Sequence, residues 1–169
     1  MAPTGLPTVR RNMSHSRIFQ ISREKISKDK YITEDRYYDS FVGEIADYID
    51  TAEDRTEDIK WLKDSLKGIA TIDLKKGLMT ITNKENYFKG FYEEFIKAAK
   101  EIAGAAFEDF CTTKLSFDEY HLRSMYNDCF DFYMDDNGEC YGNQTLMNFL
   151  RNANNGDKFY IGQVFDYHY

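Results

Sequence analysis

The densest group of potential ligands and acid–base residues lies in FDFYMDDNGECYGN, residues 130–143, where Asp131, Asp135, Asp136 and Glu139 surround Asn137-Gly138. Calcium is the first chemistry to test. An EF-hand loop takes oxygen ligands at positions 1, 3, 5 and 12 and a glycine at 6. With Gly138 at position 6, Asp135 and Asn137 fall at 3 and 5, but Tyr133 and Gln144 fall at 1 and 12. Two required ligands fail, including the bidentate one, so the stretch reads instead as a hairpin with a type I′ Asn-Gly turn.

Zinc fares no better. Cys111, Cys129, Cys140 and His121 lack finger or ribbon spacing. Asp118 and His121 stand three apart on a helical stretch, a pairing more typical of a solvated ion pair than of a metal site. No Gly-x-Ser-x-Gly elbow, phosphate loop or dinucleotide fingerprint occurs. The sequence therefore predicts no catalytic residues, no metal and no cofactor.

Charge patterning is more informative. The 169 residues carry a net charge of −7, which disfavours direct contact with nucleic acid or anionic membranes and favours basic partners. The charge falls in blocks. Residues 37–58 hold eight acids and one arginine, and residues 101–169 twelve acids and four basic residues; residues 1–36 and 59–100 are each net +4. The bland reading is a solvated face neutralised in three dimensions. The sharper one is a rigid array of carboxylates that stands in for DNA phosphates. Its candidate partner-binding residues are Asp47, Asp50, Glu53, Asp54, Glu57, Asp58, Asp128, Asp131, Asp135, Asp136 and Glu139.

The elements that must position these residues follow from periodicity. Residues 1–15, with both prolines, are expected to be a flexible tail, and Met13 is an alternative start. SRIFQIS (16–22) reads as a strand. Thr33 is expected to open a helix whose stripe is Phe41, Val42, Ile45, Tyr48 and Ile49. A second helix spans about 55–67, with Ile59, Leu62 and Leu66 inward and Gly68 as its stop. IATIDLKKGLMTIT forms a hairpin around Lys75-Lys76-Gly77. The longest helix is expected over about 84–110, with Phe91 and Phe95 buried. Ser116 and Glu119 suggest a capping box opening a helix to about 128. Strands at 130–134 and 139–142 flank Asn137-Gly138. A short helix near 144–151 and a final strand, bulged near Gly162, complete the chain.

These elements predict a single α+β domain over 16–169: a small, mostly antiparallel sheet, one long central helix and flanking helices. Three cysteines without CxxC fit a reducing cytoplasm. No apolar run approaches membrane-spanning length.

In size, acidity and Asp/Tyr/Phe-rich style the chain resembles small anti-defence proteins of mobile elements, namely ArdA-type antirestriction proteins and CRISPR nuclease inhibitors. The likeness is carried by the last third: an acidic segment, a short helix, then NGDKFYIGQVFDY (155–167). It implies DNA mimicry without catalysis, directed at a nuclease or restriction complex. The alternatives are an adaptor domain that binds through exposed aromatics, and a small enzyme with a cryptic site.

Overall fold

The computed structural model describes residues 15–125, 130–134 and 142–168. They build an α+β fold around one seven-stranded sheet. Strands β3 (Ala70–Asp73), β4 (Leu78–Ile81), β7 (Lys158–His168), β1 (His15–Ser22), β5 (Phe130–Tyr133) and β6 (Asn143–Thr145) follow one another across it, and β2 (Tyr48–Thr51) joins along β7. All pairings are antiparallel except β1 with β5.

The axis of the sheet is β7 (Lys158–His168), whose eleven residues pair with β1 (His15–Ser22) along one side. Its other side is shared. The first residues of β7 pair with β4 (Leu78–Ile81), and the last four with β2 (Tyr48–Thr51). β3 (Ala70–Asp73) closes one edge. β5 (Phe130–Tyr133) and β6 (Asn143–Thr145) form the other.

The bulge expected near Gly162 is present. Phe19 pairs with Val164 and Ile21 with Ile161, so Gln20 alone opposes Gly162 and Gln163. Gln20 is buried and its amide bonds on both sides: Oε1 accepts from the N–H of Gln163 and of Ile32, and Nε2 donates to the Lys30 carbonyl. A Cβ on Gly162 would stand 2.6 Å from Gln20 Oε1. Any side chain there would have to displace the Gln20 amide.

Apolar residues cover both sheet faces. On one, Ile18, Phe165 and Tyr167 pack with Tyr37, Phe41, Ala46 and Ile49. On the other, the rings of Phe19, Phe130, Phe132, Phe149 and Phe159 meet edge-on or tilted at 4.6–6.4 Å, with Trp61 against Phe19 and Phe130. Helix α2 (Arg55–Ser65) supplies Trp61, Ile59 and Leu62, and α6 (Leu146–Asn152) supplies Phe149 and Leu150. α2 ends at Ser65 with Leu66 as its cap, and Gly68, at φ +83°, lies in the turn that follows.

Three expectations are corrected. The helix opening at Thr33 is only α1 (Asp35–Tyr38). Its stripe continues as a turn, with Gly43 at φ +94°, and Tyr48 and Ile49 belong to β2. The i, i+4 spacing of Phe41 and Ile45 thus coincides with a loop-and-strand path in which Phe41, Ala46 and Ile49 are buried and Ile45 is exposed. The long helix α3 (Lys84–Ala103) stops at Gly104, and a separate turn α4 (Phe107–Phe110) follows. Its buried residues are Tyr87 and Ala98, whereas Phe91 and Phe95 are half-buried and stack on one another. Finally, α5 (Lys114–Ser124) begins before Ser116, which lies inside the helix and caps nothing.

The described residues divide into two compact units, one holding 15–84, 130–134 and 142–168, the other 85–125. The second contains α4, α5 and most of α3. It exposes Tyr92, Phe107, Phe110, Phe117 and Tyr120.

Candidate functional site

Seven of the eleven candidate carboxylates lie in the sheet unit; Asp128, Asp135, Asp136 and Glu139 lie outside the described residues, as does the Asn137-Gly138 turn. Asp47 precedes β2, Asp50 lies within it, Glu53 and Asp54 follow it, and Glu57 and Asp58 occupy the first turn of α2. The route is short because β2 runs almost directly into α2. Asp131 does not join this group. It sits on β5 opposite Ile18, on the sheet face occupied by Tyr37, whose hydroxyl is pushed up chiefly by burial, with Asp131 adding to the effect.

The six members of the first block are not equivalent. The Asp54 carboxylate caps α2, accepting from the N–H of Thr56 and Glu57 at 3.1 Å. Asp58 is half-buried and bonds Arg17 Nε, while the Arg17 guanidinium lies 4.5 Å over the Trp61 ring. Glu57 faces Lys60 at 3.4 Å with both exposed, which contributes little. Asp47 contacts His168. Asp50 and Glu53 are exposed.

Residues 37–58 contain one cation, Arg55, and the fold turns it away from these acids. At the start of α2 it enters the break between β2 and β4, where β7 lacks a strand neighbour. Its Nε and Nη2 donate to the carbonyls of Gly162 and Ile161, each at 2.6 Å. The neighbouring groups of β7 are met by the loops: Ile161 N–H donates to Gly77 and Val164 carbonyl accepts from Ala52. Arg55 therefore completes the sheet, and its charge is spent on main-chain oxygens.

The outer edge of β2 is also occupied. Glu34 accepts from the Thr51 N–H at 2.9 Å and from its hydroxyl, and the Tyr38 hydroxyl donates to the Ile49 carbonyl. Such edge cover opposes strand-to-strand association. The Thr51 hydroxyl bond holds the Glu34 carboxyl below its ordinary range.

A second constellation was not legible as a site. Strand register places His15, His168 and Tyr48 in one row across β1, β7 and β2, and Arg17, Asp166 and Asp50 in the next row on the same face. His15 Nδ1 lies 3.0 Å from Asp166 Oδ2 and His168 Nδ1 3.1 Å from Asp47 Oδ2. The imidazoles meet edge-to-face with centres 5.2 Å apart, and Tyr48 stacks parallel on His168. The available signal was the phase of SHSRIFQIS against QVFDYHY: His15 and Arg17 alternate with core residues, as do Asp166 and His168. Only the pairing of these two distant strands makes them neighbours.

Among the described residues no three metal-ligating side chains converge, and no helix is long and apolar enough to cross a membrane. Asp118 and His121 lie on α5 without a third ligand. Cys111 is free and exposed; Cys129 and Cys140 lie outside the described residues.

The fold and these sites define a class no narrower than an α+β protein with an acidic strand-to-helix rim. Comparison with protein-family models, with curated proteins and with solved structures returned no match.

Proposed function

We propose that the protein is a non-enzymatic acidic binding protein that inhibits a basic, nucleic-acid-binding defence protein by presenting carboxylates in place of DNA phosphates. The observation that carries this reading is the placement of Arg55. The one cation of residues 37–58 is drawn into the sheet, leaving Asp47, Asp50, Glu53 and Glu57 exposed beside the capped Asp54. A rim of like charge on a strand and helix of the sheet unit is suited to steering a basic groove. Asp58 and Asp131, half-buried, hold structural positions better than they present charge.

The test is capture of a nuclease or restriction component from a lysate by the purified protein. Release by salt and competition by that component's own nucleic acid support mimicry. Capture that resists both overturns it.

A second reading rests on a different observation. Tyr92, Phe107, Phe110, Phe117 and Tyr120 are all exposed in the unit of residues 85–125, a concentration of aromatics typical of adaptor interfaces. Salt-resistant capture that is lost in Phe110→Ser and Phe117→Ser favours this reading.

A further inference from the structure

We infer that His15 and His168 form a surface site for a divalent transition-metal ion, taken up through their two Nε2 atoms with water completing the coordination shell. The inference is independent of the acidic-inhibitor reading.

Tautomer comes first. A carboxylate accepts hydrogen bonds, so Asp166 and Asp47 require the proton on each Nδ1. Both lone pairs then sit on Nε2, and neither Nε2 has a partner among the described residues. A carboxylate behind the second ring nitrogen is the arrangement that orients metal-binding histidines and raises their basicity.

Spacing agrees. Two imidazole nitrogens at about 2.0–2.1 Å from one tetrahedral ion place their ring centres about 5 Å apart. The observed separation is 5.2 Å. Stacking by Tyr48 on His168 and edge contact by His15 restrict rotation of both rings.

The local charge favours a cation. Asp50 and Asp166 oppose one another across β2 and β7, a like-charge pairing that is unfavourable unless a positive group lies nearby. Asp47 adds a third carboxylate. Arg17, also in this row, is held by Asp58 and Trp61. Nitrogen ligands select zinc, copper or nickel over calcium and magnesium. Two protein ligands make an open site, with water in the remaining positions.

The test uses the 169-residue chain without an affinity tag and zinc chloride as the probe. The protein has three histidines in all, so imidazole NMR signals can be assigned with three single variants, and His121 is the internal reference. Zinc is expected to shift or broaden the His15 and His168 signals together, at one ion per chain, and to leave His121 unchanged. His15→Asn and His168→Asn should each abolish the response of the remaining partner. Asp47→Asn or Asp166→Asn should weaken zinc affinity about 10–100-fold. Circular dichroism checks that each variant is folded; a variant that unfolds is replaced by Nε2-blocking chemical modification of the wild type, with the same expectation. The inference is overturned if zinc leaves both signals unmoved, if either histidine responds fully without the other, or if calcium or magnesium binds equally well and survives loss of both histidines.

Discussion

Arg55 and Gly162 lie 107 residues apart, and the Arg55 Nε donates to the Gly162 carbonyl at 2.6 Å. The same guanidinium bonds the Ile161 carbonyl. A side chain thus stands where the sheet lacks a strand between β2 and β4. Arg55→Met removes both donors and leaves two main-chain acceptors of β7 to find water or go unpaired. The expected loss is about 2–4 kcal/mol, from charge-assisted bonds and uncompensated acceptors. Urea unfolding measures it as a lowered midpoint at unchanged slope. A midpoint within error of wild type would show that solvent replaces the guanidinium at no cost.

The bulge supplies a sharper steric test. In Gly162→Ala the new methyl meets Gln20 Oε1 at 2.6 Å and Ile26 Cδ1 at 2.9 Å. Gln20 cannot retreat without breaking bonds to Gln163, Ile32 and Lys30, so overpacking is expected to cost about 1–3 kcal/mol. Gly156→Ala meets nothing within 4 Å and bears only the strain of φ +94°, expected to be about 1 kcal/mol. Equal melting temperatures for the two variants would contradict the crowding at the bulge.

Those two positions show what the sequence made legible. The phase shift at Gly162 and the hairpin at Lys75-Lys76-Gly77 are local signals that the structure bears out; the helix expected to stop at Gly68 ends two residues earlier than read, at Ser65, with Gly68 in the turn beyond. The failures share a cause. Phe41, Ile45, Tyr48 and Ile49 carry helical spacing, but β7 offers an unpaired edge, and pairing of β2 with it overrides local periodicity. Neither the role of Arg55 nor the meeting of His15 with His168 is written locally, since both depend on which distant strand lies alongside. The acidic block from Asp47 to Asp58 was visible as composition. Its division into capping, ion-paired and exposed members required the geometry.

Acid should weaken the fold through identifiable carboxylates. Glu34 is held low by the Thr51 hydroxyl, and Asp157 by the Asn154 N–H and then by Arg23. A depressed folded-state pKa contributes stability above the unfolded value and loses it as pH falls through the folded one. Melting temperature should therefore be nearly flat from pH 7 to about 5 and fall below about 4. Glu34→Gln with Asp157→Asn should melt lower at neutral pH and show a shallower acid limb. Parallel curves for wild type and the double variant would remove these two groups as the cause.

The structure dictates which acids of the rim can be changed without harming the fold. Asp54 caps α2 and Asp58 holds Arg17, so reversing either confounds binding with stability. Asp50 and Glu53 are exposed and sit at the junction of β2 with α2. Asp50→Asn with Glu53→Gln keeps shape and removes two charges; exposed changes of this kind alter stability by about 0.5 kcal/mol or less. If the rim engages a basic groove, the double variant should bind its captured partner more weakly, mainly through a slower association rate, and with a shallower salt dependence than wild type. The control is Lys75→Gln with Lys76→Gln at the β3–β4 turn, where both lysines are exposed. Neutralising them should leave binding unchanged or improve it, because a phosphate-like surface gains nothing from nearby cations. Stopped-flow association at several salt concentrations separates the two outcomes. Should the acidic variant associate as fast as wild type while the lysine variant loses binding, the partner-facing surface is the basic one and its ligand an anion.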